Sequence, residues 1–166
     1  MKYLNTYIGF REFPDEISLC INITQCPWHC EGCHSPELWE DIGTELTVEE
    51  LDRLIQANKG ITLVGFMGGD FNPHYINTLA TFIKHNYPNL KVGWYSGNTK
   101  LSDIIDPYWF DYIKIGPYIK EKGPLDNPNT NQKMYQISKM ETGEYIIEDI
   151  TFKFYEINIR CNSRKI

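Results

Sequence analysis

The pattern of apolar and polar residues changes period several times along the chain. Residues 17–23 alternate between apolar and polar positions and are rich in β-branched residues, which predicts a strand. Short apolar runs at 61–66, 90–95 and 112–115 predict three more strands. Between the first three of these strands, apolar residues instead recur every three or four positions, which is typical of amphipathic helices.

The two predicted helices have recognisable first residues. Thr47, followed three residues later by Glu50, forms a capping box, and Gly60 ends this helix. Asn72 as the N-cap and Pro73 at the first helical position begin the second helix. The predicted apolar faces consist of Val48, Leu51, Leu54 and Ile55 in the first helix, and of Tyr75, Ile76, Leu79, Phe82 and Ile83 in the second.

Strands that alternate with helices predict a mostly parallel sheet with crossover helices, and therefore the α/β class. We expect one domain over residues 1–166, with its core at about 17–116 and a shorter helix at 101–105. In the tail from about 117 to 166, a loop rich in Pro, Gly and Asn precedes a predicted strand at 145–159, with Ile150, Phe152 and Phe154 on one face. A complete barrel takes about 250 residues, so we expect an open sheet.

Three segments with unusual composition follow predicted strands. They are the cysteine-rich stretch at 26–34, the turn Gly68-Gly69-Asp70, and the turn that begins with Ser96. Functional sites of parallel α/β proteins form at the carboxyl ends of strands, so these segments are expected to meet. Lys114 lies within an otherwise apolar strand, where an unpaired charge is costly.

Composition and charge exclude some classes of function. The hydrophobic fraction of 42% and the charged fraction of 23% are those of an ordinary globular protein. The formal charge of −6, without a run of Lys or Arg, argues against a nucleic-acid partner. We find no signal peptide and no apolar run of membrane-spanning length, so we expect a cytoplasmic protein with no membrane partner.

Three of the five cysteines, Cys26, Cys30 and Cys33, lie within eight residues of one another. Thiolates are soft ligands that select iron–sulfur clusters, zinc or copper(I). Cys20 and Cys161 could supply a fourth thiolate, although we expect both to be ordinary small residues. A zinc site of three cysteines and one histidine, either His29 or His34, is the alternative that the spacing leaves open.

The sequence resembles the radical S-adenosylmethionine enzymes, and within them the activating proteins of anaerobic ribonucleoside-triphosphate reductases. The resemblance rests on CPWHCEGCHSPELW at 26–39, MGGD at 67–70, WYSG at 94–97, DYIKIGPY at 111–118 and TNQK at 130–133. Many members of the superfamily have an aromatic residue before the third cysteine. This chain has Gly32 there, as the activating proteins do.

The resemblance implies an open, incomplete (β/α)6-type partial barrel and an oxidoreductase that uses two cofactors. Cys26, Cys30 and Cys33 would bind a [4Fe–4S] cluster whose fourth iron is chelated by S-adenosylmethionine. Reductive cleavage of S-adenosylmethionine would give a 5′-deoxyadenosyl radical and then a glycyl radical on the reductase. A low-potential donor such as flavodoxin would supply the electron.

The resemblance also assigns roles around S-adenosylmethionine. Adenine contacts would come from Gly32, Cys33 and His34, and contacts to the methionine ammonium from Gly68, Gly69 and Asp70. Ser96 would bind ribose or carboxylate. Lys114 would pair with the cofactor carboxylate, although pairing with Asp111 or reaching solvent would also explain a lysine at this position.

Three hypotheses about function follow. The first is the activating enzyme, whose substrate is the backbone of another protein: an open sheet leaves one side of the cluster available, and a flexible glycine loop of the reductase can enter there and exclude water. The second is a radical enzyme acting on a small molecule, similar to a deazaguanine synthase. The third is a zinc-binding interaction module without catalysis.

Overall fold

A computed structural model of the chain describes residues 1–140 and 142–155. The strands are β1 (Lys2–Gly9), β2 (Ser18–Ile23), β3 (Thr44–Glu45), β4 (Leu63–Met67), β5 (Lys91–Tyr95), β6 (Tyr112–Ile115), β7 (Lys133–Lys139) and β8 (Tyr145–Asp149). The helices are α1 (Val48–Ala57) and α2 (Pro73–Asn86), with 3-10 turns at Pro36–Trp39 and Pro107–Trp109. Residues 152–155 are also helical.

All these strands form one mixed sheet in the order β3-β1-β2-β4-β5-β6-β7-β8. Only the neighbours from β2 to β6 are parallel, and the other pairs are antiparallel. The expectation of an open (β/α)6-type partial barrel is therefore wrong. The described part of the chain is a small, mostly sheet fold with a few short helices.

The regular alternation of strand and helix ends early because the third crossover has no α-helix. α1 joins β2 to β4 and α2 joins β4 to β5, but only the three-residue turn at Pro107–Trp109 precedes β6. The helix predicted at 101–105 is absent from that connection. After β6 the chain returns antiparallel as β7, so no further parallel strand is added.

The predicted helix starts are confirmed. The Thr47 hydroxyl accepts from the backbone N–H of Glu50 at 3.1 Å, and the Asn72 side chain accepts from the N–H of Tyr75 at 3.1 Å. The second half of the capping box does not form, because the Glu50 carboxylate accepts from the hydroxyl of Tyr3 and from Arg53 instead. This carboxylate thereby links α1 to the first strand.

α1 and α2 cover one face of the sheet, and the opposite face packs on Phe13 and on Phe154 of the helical segment 152–155. On the helix-covered face, alternate strand residues pack with α1 and α2 into the larger core, which includes Leu19, Ile21, Val64, Phe66, Val92 and Trp94. On the other face, Phe13 lies on two glycines of the central strands. A Cβ at Gly65 or Gly93 would lie 2.4 or 2.2 Å from its ring. The same face presents Asn22, Met67, Tyr95 and Lys114 as the strands reach their carboxyl ends, because side chains alternate between faces.

The tail differs from its prediction. Within the strand expected at 145–159, only β8 forms. Residues 156–159 of the expected strand lie outside the described part of the chain. Ile150 and Phe154 are buried, whereas Phe152 is 48% exposed, so the three do not share one face. The described residues include no helix long and apolar enough to span a membrane.

Candidate functional site

The cysteine loop follows β2 and is held in place by its own backbone. The N–H of Cys26 donates to the carbonyl of Leu38 at 2.9 Å, and the N–H of Cys33 donates to the carbonyl of Cys30 at 3.1 Å. All three loop cysteines are free and half-buried. Burial raises the pKa of the Cys26 thiol, while the backbone amides of Trp28 and His29 act in the opposite direction.

These cysteines line one cavity with the ends of β2, β4, β5 and β6. Its empty space is about 800 Å³, open mouth included. The predicted site residues that line it are Cys26, Cys30, Cys33, His34, Gly68, Asp70, Ser96 and Lys114. The three segments therefore meet at this cavity as expected. Of the predicted site residues, Gly32 and Gly69 do not line it.

Asp70 connects the three segments. Its Oδ1 accepts from the Ser96 hydroxyl at 2.5 Å, and its Oδ2 accepts from the Trp28 indole N–H and the Gly97 N–H, both at 2.8 Å. The Trp28 ring packs directly on Gly97, where a Cβ would lie 2.3 Å from it. Both carboxylate oxygens thus hold protein donors, and Asp70 fastens the cysteine loop to the turn after β5.

Lys114 is the most distinctive charged group of the cavity. Its side chain comes from β6 and is only 8% exposed, so the lysine does not reach solvent. Its ammonium donates to the carbonyls of Gly116 at 2.6 Å and Ser96 at 3.5 Å. Burial lowers the pKa of Lys114 to about 8, while the nearby charges of Asp70 and of the cysteines at 26 and 30 act in the opposite direction.

The alternative partner proposed for Lys114 is occupied elsewhere. Asp111 binds Lys84 at 2.5 Å and accepts from the backbone N–H of Val92. Two explanations of Lys114 need no ligand, namely solvent exposure and pairing with Asp111. Neither agrees with the described structure. The ammonium of Lys114 is held by backbone carbonyls and lies 5.7 Å from the centroid of the Tyr95 ring.

The two glycines of the turn differ in what they face. Both have positive φ, +110° at Gly68 and +98° at Gly69, which favours glycine. Gly68 lines the cavity, and its carbonyl accepts from the indole N–H of Trp94 at 2.9 Å. A Cβ on Gly69 would instead meet Ile76 at 2.6 Å inside the core. Gly69 therefore allows close packing of α2 rather than access to the cavity.

The residues expected near adenine are more exposed. Gly32 lies outside the cavity with φ +74°, and a Cβ there would lie 3.6 Å from the Tyr118 ring. The left-handed backbone accounts for glycine at this position, because a side chain would be strained. His34 is exposed and lines the cavity mouth together with Tyr118.

Comparison with known proteins adds one finding. The sequence model of a family described as a 4Fe-4S single cluster domain matches residues 16–115. The chain belongs to this family. Searches of curated proteins and of solved structures give no match.

The residues of this 4Fe-4S single cluster domain fit the chemistry of a cluster. Three thiols converge on one cavity, and iron–sulfur clusters are held by cysteine thiolates. Among residues 1–140 and 142–155, no three His, Cys, Asp or Glu are grouped closely enough to hold a single metal ion. Cys20 is fully buried in β2 and does not line the cavity, while Cys161 lies outside the described residues.

Several cavity residues were not predicted from the sequence. Tyr7, Asn22, Tyr95 and Tyr118 line it as well. Asn22 and Tyr95 could have been found from strand alternation, since each lies near the carboxyl end of its strand on the face opposite α1 and α2. Tyr7 belongs to β1, a strand that was not predicted.

Proposed function

We propose that this 4Fe-4S single cluster domain is a radical S-adenosylmethionine enzyme that generates a glycyl radical on an anaerobic ribonucleoside-triphosphate reductase. The observation that carries the proposal is the composition of one cavity. It combines three free cysteines with a buried lysine whose ammonium hydrogen bonds go to carbonyls. A buried cation is costly unless it is paired, so the cavity suits a ligand that brings a carboxylate.

Cys26, Cys30 and Cys33 would hold the cluster, and Lys114 would bind the methionine carboxylate of S-adenosylmethionine. When bound, the cluster supplies a low-potential electron, near the lower end of a range that reaches about −700 mV, for reductive cleavage of the sulfonium. The half-buried Met67 and Tyr95 line the cavity on the sheet side.

The structure changes which residues we assign to the cofactor. The oxygens of Asp70 already accept three hydrogen bonds, and the Ser96 hydroxyl donates to Asp70 and accepts from the N–H of Asn98. We therefore propose that Asp70 and Ser96 position the cavity wall. The Gly68 carbonyl has a second lone pair that an ammonium can use, although its first partner is Trp94.

The electron would come from a low-potential donor such as flavodoxin, and the radical would pass to a glycine of the reductase. The test uses the anaerobically reconstituted, reduced protein with S-adenosylmethionine and the reductase. We expect a doublet glycyl signal in electron spin resonance and at most one 5′-deoxyadenosine per radical. Deoxyadenosine formed equally fast with a purine or pterin, without a glycyl signal, would instead indicate a small-molecule enzyme.

A Lys114→Met variant provides the matched control for the cavity assignment. It keeps an unbranched apolar stem of similar size and removes the ammonium. We expect it to retain the brown colour and iron content of the parent while S-adenosylmethionine binding weakens at least tenfold. Unchanged binding of S-adenosylmethionine in this variant would contradict the proposed carboxylate contact.

The ligand assignment is tested separately by iron content. Alanine at any one of Cys26, Cys30 or Cys33 should abolish a stable cluster. Alanine at Cys20 or Cys161 should leave the iron content unchanged. Loss of iron in Cys161→Ala would show a fourth protein ligand and overturn the proposal of an iron open to S-adenosylmethionine. A colourless protein that binds zinc would favour the interaction module.

A further inference from the structure

Three buried polar side-chain atoms have no hydrogen-bond partner among the described residues. They are the hydroxyl oxygen of Ser18, the amide oxygen of Asn131 and the indole Nε1 of Trp39. Of these three residues, only Trp39 lines the cavity that holds the loop cysteines. Buried polar groups are nearly always hydrogen-bonded, so an unsatisfied donor at a cofactor site points to an acceptor that the cofactor brings.

The indole of Trp39 has little freedom to find another partner. An indole N–H can donate a hydrogen bond but cannot accept one, and it moves only with the whole ring. The ring stacks on the imidazole of His29, with ring centroids 4.7 Å apart and an angle of 14° between the two planes. In the sequence His29 lies between Cys26 and Cys30. The stacking therefore holds the ring of Trp39 against the cysteine loop.

The backbone on both sides of Trp39 is fastened to the start of the same loop. The carbonyl of Leu38 accepts from the N–H of Cys26 at 2.9 Å, and the carbonyl of Glu40 accepts from the N–H of Gln25 at 3.2 Å. The position of Trp39 is therefore tied to that of Cys26 by the backbone as well as by ring stacking.

The loop already directs N–H groups at its own sulfur atoms. The N–H of Ser35 donates to the Sγ of Cys33 at 3.5 Å, and the backbone amides of Trp28 and His29 donate to the sulfur of Cys26. Hydrogen bonds to sulfur are among the factors that set the reduction potential of an iron–sulfur cluster. A 4Fe-4S cluster brings further sulfur acceptors, its sulfides, into the cavity that Trp39 lines.

We propose that the indole N–H of Trp39 donates a hydrogen bond to a sulfur atom of the bound cluster and raises its reduction potential. Reduction adds one electron to the cluster and makes its sulfur atoms more negative. A hydrogen bond to a more negative acceptor is stronger, so the donor stabilises the reduced form more than the oxidised form. The inference depends on the cluster that defines this family and not on S-adenosylmethionine or the reductase.

Two tryptophans of the cavity give matched variants. Trp39→Phe removes the unpartnered donor and keeps an aromatic ring that can stack on His29. Trp28→Phe makes the same chemical change, but the indole of Trp28 already donates to Asp70 at 2.8 Å. Both variants and the parent protein are loaded with the cluster anaerobically. Their midpoint potentials are then measured by titration with titanium(III) citrate, which supplies the electron, in the absence of S-adenosylmethionine.

The expected result is a lower potential in Trp39→Phe alone. At a fixed applied potential, the ratio of reduced to oxidised cluster should fall about three- to tenfold, a shift of about 28–59 mV for a one-electron couple. In Trp28→Phe the ratio should change less than twofold. An unchanged potential in Trp39→Phe, or equal shifts in the two variants, overturns the proposal.

Electron–nuclear double resonance tests the same contact without substituting Trp39. The reduced cluster is prepared in the Trp28→Phe variant labelled with ¹⁵N at its indole nitrogens, where Trp39 is the tryptophan that still lines the cavity among the described residues. We expect a ¹⁵N coupling to the cluster, and its absence overturns the proposal. A coupling seen only after S-adenosylmethionine is added assigns the donor to that ligand and also overturns it. A parent protein that takes up no cluster overturns the cluster assignment and this inference together.

Discussion

Replacing Asp70 by alanine should destabilise the protein even when no cofactor is bound. The substitution removes the three hydrogen bonds that the carboxylate accepts from Ser96, Trp28 and Gly97. Bonds to a charged group contribute about 1.5–3 kcal/mol each. Trp28 is 37% exposed, so water can replace the acceptor of its indole, whereas Ser96 is only 2% exposed. Since Asp70 itself is half-buried, we expect a loss of about 3 kcal/mol.

The measurement is urea unfolding of the metal-free protein, followed by circular dichroism. Asp70→Asn is the matched control, because its carbonyl oxygen can still accept from Trp28 and Gly97 while its amide faces Ser96, and it should lose only about 1 kcal/mol. Trp28→Phe keeps the ring on Gly97 and removes the indole donor. The double variant of Asp70→Ala and Trp28→Phe should reveal a coupling energy of about 1 kcal/mol.

The opposite pattern would refute this reasoning. If Asp70 served mainly as a ligand of S-adenosylmethionine, Asp70→Ala would unfold at the same urea concentration as the parent protein. Only the affinity for the cofactor would then fall. A coupling energy near zero between Asp70 and Trp28 would likewise show that their 2.8 Å contact does not fasten the cysteine loop.

Three further predictions concern the core and the buried thiol. Gly69→Ala should lose about 1–3 kcal/mol of unfolding free energy, because its Cβ would lie 2.6 Å from Ile76 at a φ of +98°; normal stability would contradict this. Phe13→Ala should lose about 3–5 kcal/mol, since the ring fills the space over two strand glycines. Burial raises the pKa of Cys20 to about 12, so its thiol stays protonated at pH 8. Since Cys20 is also fully buried, it should resist iodoacetamide in the folded protein, whereas the half-buried Cys26 should be labelled faster. Peptide mapping by mass spectrometry measures this, and rapid labelling of Cys20 would contradict it.

Local signals in the sequence predicted the parts of the fold that depend on local chemistry. The helix starts at Thr47 and Asn72 follow from side-chain capping, which involves residues only three positions apart. β1 and β7 were not predicted, and the parallel barrel was wrong, because both depend on which distant segments pair. Tyr112 pairs with Gln136 across a long loop, and no residue in that loop indicates an antiparallel return.

The sequence predicted that the cysteine loop and the turns after β4 and β5 would meet, and most of the predicted residues line one cavity, while their roles stay predictions. Chain order and strand ends placed Cys26, Asp70, Ser96 and Lys114 together, because parallel strands bring their carboxyl ends to one edge. The sequence could not show that Asp70 accepts hydrogen bonds from three protein donors, since one of them, Trp28, lies in a separate loop 42 residues away. Nor could the sequence show that Gly68 lines the cavity whereas a Cβ built on Gly69 would point at Ile76 in the core.

The different structural roles of the three residues in the turn at 68–70 follow from this geometry. A chain that leaves β4 and enters α2 within a few residues needs left-handed backbone, which Gly68 and Gly69 provide. Asp70 then closes the turn onto the cysteine loop. Each residue of the turn thus has a structural reason that requires no cofactor, and the turn alone is weak support for one. Within the described residues the buried Lys114 ammonium donates to backbone carbonyls and forms no salt bridge, so it supports the proposed carboxylate contact better than the glycine turn does.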